Sequence, residues 1–533
     1  MAARSSNRIL LNTHTLKNQL WLADLKRKEF SSAAYLLENA RIVDFKNANV
    51  ESCALLIEAG MIRKKFTGNG SRPREIRKLN LHGKYVIPGF IDGHTHLIPE
   101  GIKMQQLDLS RCRSLEDCLK KIRADLKKQD IVFASNWDEA SWRASDSKGL
   151  KRHTLDRLSR KKPIIMRRIC GHYAVVNTAA LRHIPENRRI VDRSSGILYE
   201  DAALNLNDFF PPTDEMLEEA VSLAEKKALR LGITSVHEIS KPRYFRVLQK
   251  KRKELKIRYA IYLTERYHEH VLETGLRTGY GDDWLRFEGT KVFVDGSIGA
   301  RTAALTKPYE GTHRRGNILV PTSRLKWFVD TAESSGIQLM LHSIGDRTTK
   351  IALRILKERV AQGNPLRHRI EHLEMLSDES VAEMGRMKII ASMQPNFVRR
   401  WQNPGGMYEK VLGQRYIGMN RFRSLLLRRV RLLFGSDCMP LGPLYGLRGA
   451  ISHPSEKERL SIAQGLTMYT ESGAFATFEE EKKGKLEQGY LADLVVLNGN
   501  PLERENLAVL EIQMVIVGGE IVYGTNPKTW GRR

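Results

Sequence analysis

Eight short runs rich in Val, Ile and Leu alternate with segments of helical composition, and further strand-like pieces stand at both ends of the chain. These observations predict an α/β fold: a (β/α)8 TIM-type barrel with a composite β-sandwich domain built from both chain ends and a cap insertion after strand 1. The runs are Val86 to Asp92, Ile233 to His237, Ile257 to Leu263, Lys291 to Val294, Ile337 to Leu341, Arg369 to His372, Lys388 to Met393 and Val430 to Phe434. Segments such as Glu215 to Leu231 and Ser323 to Ser335 read as intervening helices, and strands joined through helices pair in parallel. The long span 104–203 is read as the insertion, with strand-like pieces of its own at Ile131 to Ser135 and Pro163 to Ile169. Tyr35 to Val43 and Ala54 to Glu58 near one terminus match Ala492 to Leu497 and Met514 to Tyr523 near the other in character. The expected organisation is a tail over 1–34, the composite β-domain over 35–85 and 482–533, and the barrel over 86–481.

Composition narrows the class. A chain of 533 residues, 41% hydrophobic and 28% charged, can bury a large core. No apolar run approaches the roughly 20 residues that cross a bilayer, so no membrane partner is expected. Five cysteines form no C-x-x-C pair, which favours reduced thiols and a cytoplasmic location. The first 23 residues carry Arg4, Arg8 and Lys17 and no acid, a weakly transit-like pattern; a cytosolic tail is the preferred reading, with organelle import left open. Lys and Arg number 88 against 61 Asp and Glu, a formal net charge of +27. The basic residues are dispersed rather than interleaved with aromatics, so a solvated basic surface is favoured over a specific nucleic-acid interface. Self-association stays open.

Polar residues at the ends of the runs carry the chemistry. His94 and His96 flank Thr95, and on a strand that spacing points both imidazoles to one side, an arrangement that suits a divalent metal. His342 ends the fifth run, His372 ends the sixth, and Asp437 follows the eighth in Gly435-Ser436-Asp437. Lys291 is read as beginning the fourth. Each alone has a structural explanation, but the gathering of all except Lys291 at the C-terminal ends of strands, where barrel active sites form, points to a shared site.

Longer motifs extend the pattern: Pro88 to His96, Asn136 to Trp142, Gly171 to Asn177, Lys291 to Ser297, His342 to Asp346, Arg367 to His372, Gln394-Pro395, Gly435 to Asp437 and Gly484 to Val496. In this order they resemble the metal-dependent amidohydrolase superfamily, and within it the amidohydrolase 3 group that includes N-substituted formamide deformylase-like proteins. The resemblance runs from about Tyr35 to Tyr523. It implies one or two metal ions, with His94 and His96 on one, His342 and His372 on the other, Asp437 at the site and Lys291 bridging. A neutral Lys291 amine can take up carbon dioxide to give a carboxylated lysine, and burial would favour that by depressing the amine's pKa. Zinc is the expected ion.

The implied reaction is hydrolysis of a non-peptide C–N bond, in an amide, N-formyl or cyclic amide, by metal-activated hydroxide with Asp437 as general base. Trp137, Trp142 and His172 of the insertion, with Asp295 and Arg301 after the fourth strand, are candidates to contact a small-molecule substrate; the tryptophans have an equally good reading as the insertion's own core. His237 and Glu238 are candidates to orient a ligand from behind. Two alternatives stand beside this reading: a nucleobase-type deaminase, and a non-catalytic scaffold of the same fold that binds an anionic partner.

Overall fold

The computed structural model describes residues 34–524 apart from 69–72, 74, 139–141, 143–148, 170, 172, 186–191, 200 and 205. The tail expected over 1–34 lies outside the described residues but for its last position. Eight parallel strands form the barrel: β1 (Phe90–Thr95), β2 (Ile233–Ser240), β3 (Arg258–Thr264), β4 (Leu285–Phe293), β5 (Gln338–Ser343), β6 (Arg369–His372), β7 (Ile390–Met393) and β8 (Leu432–Phe434). Each pairs with its neighbour in chain order. The seam between β8 and β1 is nearly closed: Asp437 N donates to His94 O at 2.8 Å and Ser436 N to Asp92 Oδ1 at 2.8 Å.

Helices between the strands begin and end where local chemistry dictates. Asp378–Met387, between β6 and β7, starts at Ser377, whose hydroxyl accepts from Ser380 N, and carries Asp378 and Glu379 in its first turn, where the helix dipole favours acids. Thr322–Ser335, before β5, stops at Gly336 in the left-handed conformation.

Two predicted strands differ from those observed. The run Val86 to Asp92 is two strands: Tyr85–Pro88 belongs to the β-domain, and β1 starts only at Phe90. Between them the chain passes through Gly89, where a Cβ would lie 2.2 Å from Thr234 Oγ1, so only glycine fits the crossing. The fourth strand begins six residues earlier than the run from Lys291. Arg286 and Glu288 lie in the added stretch, and their charges are met by partners; Arg286 lies 3.3 Å from Glu479, which in turn holds Lys483 at 2.6 Å. Lys291 therefore sits near the C-terminal end of β4, with the other candidates.

The β-domain is one curled sheet of eight strands. Its order is Glu520–Gly524, Ile512–Val517, Leu494–Leu497, Tyr85–Pro88, Tyr35–Asp44, Asn49–Glu58, Met61–Thr67, with Arg77–Asn80 added beside Tyr35–Asp44. Curling brings Met61, on an edge, to a bridge with Leu491. Alternate residues Tyr35, Leu37, Leu55, Ile57, Leu494, Val496, Met514 and Ile516 meet in its core; each such burial contributes about 1.5–3 kcal/mol.

Residues Leu97–Ala224 make a separate compact unit. It holds a five-stranded sheet in the order Ile197–Tyr199, Tyr173–Val176, Ile164–Arg168, Val132–Trp137, Leu107–Asp108. Among the described residues, no helix is long and apolar enough to cross a membrane.

Candidate active site

The C-terminal ends of the barrel strands bring six of the expected side chains together. His94 is fully buried on β1, and its Nε2 lies 3.3 Å from Lys291 Nζ on β4 and 3.7 Å from Asp437 Oδ1 beyond β8. His96 follows β1, and its Nε2 lies 3.2 Å from the same Asp437 oxygen. The rings of His94 and His372 are 4.8 Å apart by centroid, and those of His372 and His342 are 4.4 Å apart. Among the described residues, His94, His372 and Asp437 offer ligand atoms within 4.8 Å of one another. That triple draws one histidine from each of the two expected pairs.

Backbone geometry aims these groups. Strand alternation would turn His372 away from the face that Glu371 occupies, but His372 and Leu373 have φ of 71° and 52°, which re-aims the imidazole inward. Asp437 and Cys438 are likewise left-handed, at 52° and 55°. Such conformations in non-glycine residues need a surrounding structure that enforces them. Here Asp437 N is tied to His94 O, and Gly435 leaves room for that approach: a Cβ on it would lie 2.4 Å from His94 N.

Each central imidazole has one nitrogen committed to an acceptor. His94 Nδ1 meets Glu371 Oε2, His372 Nδ1 lies 2.7 Å from Gln394 Oε1, and His342 Nε2 lies 3.1 Å from Gly296 O. The committed nitrogen carries the proton, so the other keeps a lone pair. Burial, reinforced by the Lys291 charge, holds His94 well below the ordinary histidine range and brings His342 down to about 3. His372 is lowered by burial and by the two neighbouring imidazoles. Neutral imidazoles with bare nitrogens are donors for a cation.

Burial also pulls Lys291 down, to about 8, against the opposing effect of Glu371 and Asp437. For Asp437 burial acts upward, but the hydrogen bond from His96 and the positive charge around it prevail and leave the carboxyl below its ordinary value. The site thus holds an ionised acid, neutral imidazoles and an amine that is easily deprotonated. That donor set fits a divalent metal.

The remaining candidates lie elsewhere or work differently. Trp137 and Trp142 are 3% and 8% exposed, stack on each other at 5.6 Å and belong to the insertion's own apolar core, as its second reading expected. His172 lies outside the described residues. Asp295, read as a substrate contact, accepts from Ala304 N in its own loop and from Ile344 N, Gly345 N and Thr348 Oγ1 after β5 at 2.7–2.9 Å, and its Oδ1 lies 3.8 Å from His342 Nε2. Arg301 is half-buried in the loop after β4, with φ of 58°. His237 faces Arg369, whose Nη1 donates to its Nδ1 at 2.8 Å, and Glu238 accepts from Thr95 Oγ1 at 2.8 Å. Both meet Thr95, the residue between His94 and His96, whose Oγ1 also donates to His237 O at 3.1 Å.

Sequence reasoning missed Glu371 and Arg369. Both are fully buried, and Arg369 Nε donates to Glu371 Oε1 at 2.6 Å. Their signal was alternation: on β6 they share a face, so an arginine and a glutamate two residues apart must both enter the barrel.

Comparison with known proteins agrees with this geometry. Residues 77–523 match the profile of the Amidohydrolase family. YtcJ of Bacillus subtilis (strain 168), whose name places it among amidohydrolases, is 29% identical over 88% of this chain and 96% of its own. The N-substituted formamide deformylase of Arthrobacter pascens is 24% identical over 90% of this chain and 95% of its own. The crystal structure of an uncharacterized metal-dependent hydrolase from Pyrococcus furiosus superposes with a TM-score of 0.78 at 25% identity, covering 88% of this chain and all of that one. With its eight-stranded barrel, its converging histidines and a family match across most of its length, this chain belongs to the amidohydrolase family.

Proposed function

We propose that this protein is a metal-dependent hydrolase of a non-peptide C–N bond in a small amide, N-formyl compound or cyclic amide. The observation that carries the reading is the meeting of His94, His372 and Asp437 within 4.8 Å at the C-terminal mouth of the barrel. His94, His96, His342, His372 and Asp437 would hold the cation, and Lys291 would join them as its carbamate. A divalent ion, zinc on this donor set, supplies Lewis-acid polarisation of the carbonyl and acidifies water.

The chain's own groups do the rest. The Lys291 amine, desolvated and lowered to about 8, is neutral often enough to attack carbon dioxide; the N–C bond forms, one proton leaves, and a carboxylate takes the place of an ammonium. Asp437, ionised and 17% exposed, is placed to take the proton from the attacking water as its oxygen bonds to the carbonyl carbon. As the C–N bond breaks, Asp437 returns that proton to the departing nitrogen, which would otherwise leave as a poor amide anion. Five cysteines without a C-x-x-C pair suit a reducing compartment, the cytoplasm in this reading.

A screen of N-acyl, N-formyl and cyclic amides, following amine and acid release, tests the bond class. Turnover confined to ammonia release from nucleobases would replace this reading with the deaminase one.

A further inference from the structure

The barrel interior beneath the site holds a charge pair that the reaction above does not use. Arg369 and Glu371 are both fully buried, and two of their contacts reach His94 and the residue before it. Arg369 Nε donates to Glu371 Oε1 at 2.6 Å, and its Nη2 reaches Glu371 Oε2 at 3.1 Å and Ser392 Oγ at 3.0 Å. The same Nη2 donates to the carbonyl of Gly93, the residue before His94, while Nη1 holds His237. One guanidinium thereby ties β1, β2, β6 and β7 together. Glu371 Oε2 meets His94 Nδ1 in turn.

We propose that Glu371, held by Arg369, is the positioning residue that fixes the tautomer and direction of His94, and so sets the affinity of the site for its cation. The inference rests on the metal-dependent reading above. A guanidinium is always a donor, so a glutamate locked onto it presents only acceptors. His94 must then carry its proton on Nδ1, and its Nε2 lone pair is left facing Lys291 Nζ and Asp437 at 3.3 and 3.7 Å. The competing account, a buried ion pair that merely neutralises itself, explains neither why Oε2 is shared with His94 nor why Arg369 also grips the adjoining backbone. His372 and His342 have neutral acceptors, an amide and a peptide carbonyl, in the equivalent place. His94 is the one of the three hydrogen-bonded to a carboxylate, whereas the nearest carboxylate oxygen to His342 Nε2, Asp295 Oδ1, stays 3.8 Å away; that bond raises the basicity of His94 toward a metal.

The test compares zinc affinity of the chelator-stripped full chain in wild type, Glu371→Gln and Glu371→Asp, by competition with a chelating dye. In Glu371→Gln the amide N–H2 must face either Arg369 or His94, both donors, so binding should weaken about 10–100-fold, with partial recovery in Glu371→Asp, which keeps the carboxylate. Because a lone buried Arg369 could prevent folding, a second variant removes both charges, Glu371→Leu with Arg369→Met; it should fold and bind as weakly. Folded variants with wild-type zinc affinity would overturn the inference. Independently of any variant's folding, 15N spectra of stripped wild-type protein labelled at histidine should show His94, assigned by its loss in His94→Asn, protonated on Nδ1; protonation on Nε2 would also overturn it. Failure of wild type itself to bind metal would instead sink the metal-dependent reading.

Discussion

Asp437 bears on the first pair of histidines, lying 3.2 Å from His96 and 3.7 Å from His94. Asp437→Asn preserves shape and removes the base, so turnover should fall about 10²–10⁴-fold while the fold and much of the metal persist; kcat of the purified, metal-analysed variant measures this. Much of the site was legible at this scale because spacing on a strand fixes direction: His94 and His96 could be paired from the single residue between them. Lys291 was identified but placed at the start of its strand, which in fact begins at Leu285 and carries Lys291 near its end. The four donors that meet Asp295 were not legible, because three of them, Ile344 N, Gly345 N and Thr348 Oγ1, come to it only when β4 and β5 pair. Glu371 went unnoticed inside a run of charged residues whose meaning depends on His94, 277 positions away.

Strands and their junctions hold these residues in place. The β8–β1 seam depends on Gly435, and in Gly435→Ala the new methyl would press on His94 N at 2.4 Å and His94 Cβ at 2.6 Å. That variant should lose about 1–3 kcal/mol of stability and bind metal more weakly, read from thermal melts with and without chelator. The helix Asp214–Arg230 contributes a different device. Burial raises its Glu225 from 4.5 to about 7, only partly offset by hydrogen bonds from Lys256 N and Tyr259 Oη. The folded state therefore holds this proton more tightly than the unfolded state, and the stability it confers is present below pH 4.5 and lost as pH rises through about 7. Glu225→Gln does not titrate, so its stability relative to wild type should climb across that window by about 2–3 kcal/mol in denaturant melts; a pH-independent difference would contradict the assignment. Most of the barrel runs were legible as elements because buried parallel strands read as near-continuous apolar stretches; Arg369 to His372, largely charged, is the exception. Their limits were less so: Pro88-Gly89 hides a change of sheet, and Gly518-Gly519, with φ of 56° and 76°, splits one C-terminal run into a hairpin.

For the whole molecule, the account depends on groups spread over 344 residues of sequence, from His94 to Asp437, being drawn together by barrel closure around a cation. The net charge of +27 plays no part in that closure, because the basic residues are dispersed along the chain; weak, salt-sensitive adhesion to polyanions is its expected consequence. Metal, by contrast, binds only the folded arrangement and should stabilise it. Elemental analysis of the purified chain, beside a His94→Asn/His372→Asn variant confirmed to be folded, addresses the central claim most directly. One or two equivalents of a divalent ion per wild-type chain, falling to a small fraction in the variant, is the predicted result. Wild-type protein that stays metal-free after incubation with zinc, or a variant that retains the full complement, would contradict it.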